Sequence, residues 1–296
     1  MDWDDAKIFL AVARHGQMLG AARGLGLNQA TISRRMTTLE KALGTKLLVR
    51  RTNGCELTDD GRALSTALER IETQFIQAEA GLRRTEGVVS GIVRVGAPDG
   101  FGVSFLAPRL GTLADRHPAL SIQLVPVPRS FSLSQREADI AVMVGRPEQG
   151  RLVARRLTDY TLSLYASRDY LDRVGRPRSE AELKNHRLVG YVDDLIYTPA
   201  LNYAAEFSRN WRSSIDIASA TGQLEAVRAG AGIGILHDFL ARKHAELELV
   251  LPELSATRAY WTVYHESLRD VARVQVVAAF LDEIVQRDRA TFVRAR

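Results

Sequence analysis

The chain has 296 residues, 46% of them hydrophobic, which is enough to bury more than one core, so two or three folded units are expected. A formal charge of +5 excludes no partner class by itself, but between Arg23 and Arg51 seven basic residues stand against Glu40 alone, and that local excess favours a polyanion. The single cysteine, Cys55, excludes an intrachain disulfide, and no apolar run reaches the length of a membrane span, so a cytoplasmic protein with no membrane partner is expected.

From Asp4 to Arg14 the apolar residues Ile8, Phe9, Val12 and Ala13 share one helical face, and Gly16 supplies a stop. Ala21, Ala22 and Leu25 predict a short second helix ended by Gly24 and Gly26, with small side chains that allow close crossing. Asn28 is placed to cap a third helix, along which Ile32, Met36 and Leu39 form an inward stripe while Thr31, Arg34 and Thr38 face away. Gln29, Ala30, Thr31 and Ser33 fall in its first turns, where a recognition helix meets base edges in the major groove. Arg34 can donate two hydrogen bonds to a guanine and Gln29 can pair with an adenine, whereas Arg35, nearer the flank, suits phosphate. Leu47 to Val49 and Cys55 to Leu57 predict two short strands joined by a turn at Asn53 and Gly54, a wing whose Arg50 and Arg51 can reach the DNA backbone or minor groove. The alternative for this region is an ordinary helical hairpin with surface arginines.

Thr58, Asp59 and Asp60 place a cap and two acids at the start of a long helix. Leu64, Leu68, Ile71, Phe75, Ala78 and Leu82 then step along it in a heptad seam that runs to the stretch Gly87 to Gly91. Either the chain's own core or a second copy can cover that seam, and a second copy is favoured because operator half-sites are read by symmetric dimers.

Beyond Gly91 the texture alternates, which indicates an α/β sheet. Strands are expected at Gly91 to Ala97, Leu120 to Val127, Ala138 to Gly145, Leu162 to Ser167, Arg187 to Tyr191, Ile215 to Ala218 and Gly232 to Leu236. Helices are expected at Phe101 to Arg116, Tyr170 to Val174, Gln223 to Ala229 and Val271 to Arg287. Ligands of open α/β sheets sit beyond the carboxyl ends of strands, near helix N-termini. That rule singles out Pro98, Asp99, Gly100 and Phe101, then Arg129 and Ser130, then Tyr191, then Thr221 and Gln223.

No motif for catalysis, metal or cofactor is found. Gly230, Gly232 and Gly234 precede a strand instead of following one, which argues against a dinucleotide loop; the six histidines lack metal-site spacing, and no nucleophile elbow is present.

The run AARGLGLNQATISRRMTTLEKALGTKLLVRR, continued by LTDDGRAL, resembles the DNA-binding domain of LysR-type transcriptional regulators. The match is strong over about the first 90 residues and extends in layout to the rest. The resemblance implies an α/β protein with an N-terminal winged helix-turn-helix (residues 1–58), a long linker and dimerisation helix (59–90), and a two-lobed, periplasmic-binding-protein-like effector domain (91–296). Lobe I would take about 91–161 and 267–296, and lobe II about 162–266. It implies DNA contacts at Gln29, Ala30, Thr31, Ser33 and Arg34, with Leu39, Glu40, Leu43 and Gly44 architectural, and an inducer cleft lined by positions like those singled out above. The expected partners are double-stranded operator or promoter DNA, a small-molecule effector, further copies of the chain as homodimer or homotetramer, and RNA polymerase; no enzyme activity is expected.

The sequence also departs from the family pattern. Leu19 stands where a capping Ser or Thr is frequent, Ala30 replaces a frequent Pro or Ser, and Asn53 replaces a frequent wing Arg. Asp99 stands where a Ser or Thr often helps bind an anionic inducer. A carboxylate there predicts a cleft that prefers a neutral or cationic ligand, unless Arg129 or Arg146 supplies positive charge. Two other classes stay open at this stage: a small-molecule binding protein whose N-terminal module mediates assembly, and an enzyme with an appended helical domain.

Overall fold

The computed structural model describes residues 2–51, 54–82, 88–127, 138–147 and 150–294, with the backbone alone at Arg50, Arg70, Thr73 and 76–82. The chain divides into one compact unit covering Met1–Gly87 and a second beginning at Val88.

In the first unit α1 (Trp3–His15) is capped by the Asp2 side chain and ends at Gly16. Helix α2 (Met18–Leu25) follows Gln17, whose side chain makes no cap hydrogen bond; the cap position is therefore Gln17, and Leu19 lies within the helix, which Gly26 ends. Helix α3 (Gln29–Leu43) starts as its sequence predicts, with Asn28 Oδ1 accepting the Thr31 amide at 2.7 Å. Ile32, Met36 and Leu39 are buried, joining Ile8, Phe9, Val12, Ala21 and Ala22 in one core. Each such aliphatic contributes roughly 1.5–3 kcal/mol by leaving water. Strands β1 (Leu48–Arg51) and β2 (Gly54–Leu57) pair antiparallel as the wing, and the turn expected at Asn53 lies outside the described residues. Helix α4 (Asp59–Leu82) completes this unit.

The second unit carries, among the described residues, one eight-stranded sheet in the order β4-β3-β5-β10-β6-β9-β7-β8. In chain order its elements are β3 (Gly91–Ala97), α5 (Asp99–Phe101), which continues through irregular turns into α6 (Leu110–Arg116), β4 (Leu120–Pro126), β5 (Ile140–Val144), β6 (Leu152–Ser167), α7 (Arg168–Val174) and β7 (Leu188–Gly190). There follow α8 (Ala204–Phe207), β8 (Ile215–Asp216), α9 (Ala220–Arg228), β9 (Ile233–His237), α10 (Asp238–Ala241), β10 (Leu247–His265), α11 (Ala272–Arg287) and α12 (Arg289–Phe292). Strands β4, β3 and β5 are parallel, as are β9, β7 and β8, and the long antiparallel pair β6 and β10 joins the two sets. This is a periplasmic-binding-protein-like arrangement in which both halves hang from one ladder.

The ladder differs from expectation in two ways. Strand β6 begins ten residues before Leu162, because Leu152 to Arg156 pair with the far end of β10. The register then slips, with Trp261 opposite Arg156 and Tyr260 opposite Thr158, leaving Leu157 without a partner on β10. Strand β10, not anticipated from the sequence, bulges between Val250 and Ser255, where Leu251 takes a φ of 47°.

Candidate nucleic-acid interface and ligand cleft

On α3, burial of Ile32, Met36 and Leu39 forces the opposite face outward. Gln29, Ala30 and Arg34 are exposed, and Thr31 and Ser33 are half-buried beside them. Thr38, also exposed, bonds its hydroxyl back to the Arg34 carbonyl at 3.1 Å. The helix start, where unpaired amides concentrate positive potential, thus carries the side chains singled out for bases.

Arg35, expected at phosphate, is engaged within the protein. Its Nε lies 2.5 Å from Asp5 Oδ1 and its Nη2 3.7 Å from Asp2 Oδ2, a pairing with the start of α1 that is an ion pair and not an aligned hydrogen bond. The cause is the near-complete burial of Asp5, whose charge needs a cation. Of the wing arginines, the Arg50 side chain lies outside what is described, and exposed Arg51 pairs across the hairpin with Glu56 at 3.1 Å. In water such a pair is worth little and yields readily to a phosphate.

Glu40 behaves as architecture. Its carboxylate accepts from Lys46 Nζ at 2.7 Å and from the amides of Leu47 and Leu48 at 2.9 and 3.3 Å. Burial alone would raise its pKa, but these bonds outweigh burial and hold it below the usual carboxylate value. The first turn of α4 is fixed to the same strand. Thr58 donates its amide to the Leu47 carbonyl at 3.0 Å and its hydroxyl to Lys46 at 2.7 Å, and no Cβ would fit at Gly61 against the Leu47 carbonyl.

The heptad seam of α4 is divided. Leu68 is buried and Leu64 packs on the α1 core, so this half is covered by its own unit. Ile71 and Phe75 are 45% and 63% exposed, although Phe75 still approaches Trp3 at 6.4 Å between ring centres. Arg14 holds α4 to α1 through Glu72, with contacts of 2.6 and 3.4 Å.

In the second unit, the end of β3 and the start of α9 meet at Asp99. Its Oδ2 accepts the Ser219 hydroxyl at 2.7 Å, the Thr221 amide at 3.0 Å and the Thr221 hydroxyl at 2.8 Å. Burial pushes the Asp99 pKa up, but the bonds from Thr221 and Ser219 overcome it and leave the group below the ordinary carboxylate value, charged at neutral pH. Gly100 permits the approach, since a Cβ there would lie 3.1 Å from that of Ala220.

Around this contact lies a cavity of about 30 Å³ lined by Pro98, Asp99, Gly100, Tyr191 and Gln223 from the expected set. Tyr197, Tyr203 and His237 also line it and were not anticipated: the tyrosines lie in irregular turns without periodicity, and His237 reads as an ordinary histidine. Ser219 was missed as well, although Ser ahead of a helix is a readable cap. A second cavity of about 30 Å³ shares Tyr191, Leu201, Tyr203 and Gln223 with the first and adds Trp211.

Several expected ligand contacts have other roles. Phe101 is fully buried against Phe105, Tyr260 and Phe292, so it is a core residue and not a cleft contact. Thr221 is engaged by Asp99, and the Gln223 amide donates to the carbonyls of Gly190 and Ile217 at 3.0 and 2.9 Å. Arg129 and Ser130 lie outside the described residues, while Arg146 is exposed, 5.8 Å from the Trp261 ring centre. No group of histidine, cysteine or carboxylate side chains suited to a metal occurs among the described residues.

Comparison with known proteins gives the family. Residues 3–62 match the bacterial regulatory helix-turn-helix protein model of the lysR family, and residues 86–286 match the LysR substrate binding domain. A helix-turn-helix-type transcriptional regulator of Xanthomonas campestris is 32% identical over 186 residues, 63% of this chain, and the match spans about half, 54%, of that protein. The regulator CrgA of Neisseria meningitidis is 27% identical over 290 residues, covering 95% of this chain and 96% of that one. The solved structure of CrgA, a LysR-type transcriptional regulator, aligns with a TM-score of 0.60 at 26% identity, over 96% of this chain and 98% of that one. The chain belongs to the LysR family of transcriptional regulators, with an N-terminal helix-turn-helix and a C-terminal substrate-binding domain.

Proposed function

We propose that the protein is a sequence-specific regulator that binds operator DNA as a homo-oligomer and is controlled by a small molecule held between the two halves of its sheet. In this function residues 1–58 read the duplex, 59–90 pair two copies, and 91–296 hold the effector, with no catalytic step. Contacts to RNA polymerase and action in the cytoplasm belong to the same proposal.

The observation that carries it is the division of α3. Its apolar stripe is buried, and Gln29, Ala30 and Arg34 remain exposed at its start. Burial fixes the helix; exposure leaves the base-reading edge open to the groove. The exposed Ile71 and Phe75 on α4 favour a second copy.

A mobility-shift assay on the DNA upstream of its own coding region, at two salt concentrations, tests the proposal. Specific retardation that weakens with salt and is reduced by Arg34→Ala is expected. Equal affinity for that DNA and a random duplex would refute it.

A further inference from the structure

The cleft near Asp99 is an aromatic chamber containing a carboxylate that neutral donors satisfy and that, among the described residues, no basic lining residue faces. Tyr191, Tyr197 and Tyr203 line it, and no Lys or Arg is among the described lining residues of either cavity. Arg258, 5.9 Å from the Tyr203 ring centre, is ion-paired with Glu206. His237 adds no positive charge, because burial pushes its pKa down to about 4 in spite of Asp99 and Asp238 nearby. An anion entering the chamber would lose its water next to a carboxylate that no Lys or Arg among the described lining residues balances.

We infer that the cleft takes a small organic cation, a primary ammonium that replaces Ser219 and Thr221 on Asp99 and lies among the tyrosine rings. Three neutral donors now converge on Oδ2, and an ammonium N–H on the same carboxylate makes a charge-assisted bond, leaving its other N–H groups for neighbouring acceptors. Tyrosine faces attract a cation through their quadrupole once water is excluded. The neighbouring chamber supplies room for the rest of the ligand, and there the buried indole N–H of Trp211 has no hydrogen-bond partner among the described residues, so an acceptor on the ligand is favoured. Each chamber holds about one water as it stands, so entry must part the start of α5 from that of α9. The inference rests on the effector function proposed above and gives its ligand class.

The test compares three probes of similar size on the full chain at equal ionic strength: butylammonium, butyrate and 1-butanol. Thermal unfolding is followed for the wild type and Asp99→Asn. Butylammonium is expected to raise the wild-type melting temperature by about 3 °C at tenfold its dissociation constant, well beyond the other two, and to lose that effect in the variant. An equal or larger shift with butyrate overturns the cation assignment while leaving an effector cleft in place. A butylammonium shift retained in Asp99→Asn, or no shift with any probe, overturns the site. Should the variant fail to fold, the ranking of the probes on the wild type decides alone. Operator retardation without any probe is a separate measurement, so loss of the cation site and loss of the regulator function are told apart.

Discussion

Asp99 and Thr221, 122 positions apart, are joined through both the amide and the hydroxyl of the threonine, at 3.0 and 2.8 Å. The pair ties the end of β3 to the start of α9, the helix that follows β8. Thr221→Val keeps the amide bond and removes the other, leaving a charged, buried acceptor short of a donor. A loss of about 1–3 kcal/mol in stability of the second unit is expected, read as a lower urea midpoint at unchanged slope.

Arg34 and Arg35 are adjacent in sequence but face different partners, so their alanine variants should diverge. Arg34→Ala should cost about 1–3 kcal/mol in operator binding and relax the preference at one base pair, with the melting curve unchanged. Arg35→Ala strands the buried Asp5 charge, so it should first lower the melting temperature. Equal melting temperatures for both variants, measured without DNA, would remove this distinction.

His237 gives the second unit an acid-sensitive term. Its folded pKa of about 4 lies below the roughly 6.5 of an unfolded histidine. Between those values the unfolded chain holds more protons, so stability rises with pH through the window and is lost as pH falls from about 6.5 toward 4. His237→Phe, which preserves stacking on Tyr160, should flatten this dependence in melts taken between pH 4 and 7. An unchanged slope would show that the ring is not buried neutral.

The divided α4 seam predicts separable defects. Leu68→Ala should cost about 2–5 kcal/mol in stability of the first unit. Ile71→Glu and Phe75→Glu should leave melting nearly unchanged while lowering the mass by light scattering and weakening operator binding. Unchanged mass in both would exclude this face from assembly.

The three helices, the wing strands and the linker helix were legible because each rests on local signals: caps at Asn28 and Thr58, a stop at Gly16, a stripe at Ile32, Met36 and Leu39. The ladder joining the halves was not. Strand β10 pairs residues nearly a hundred positions away, and Pro252 with the positive-φ Leu251 breaks the alternation that marks a strand. At the cleft, the strand-end rule pointed to Pro98, Asp99, Gly100, Tyr191 and Gln223, which the structure brings together around one cavity, since that rule depends on topology. Phe101 failed because direction of a side chain at a helix start is set by packing on Phe105 and Phe292. The ion pair of Arg35 was not legible because its partner, Asp5, lies thirty residues earlier and is visible only once α1 and α3 cross.

Thr58 and Gly61 weld the root of the long helix to the strand that enters the hairpin. A lever so attached has its base fixed: under the proposed function, a tilt imposed on its shaft by a neighbouring subunit would be delivered to the hairpin as a change in reach along the duplex. Spacing between the recognition elements of paired subunits would then be set by helix angle, and a substitution at Gly61 would be felt as altered operator geometry as well as lost stability.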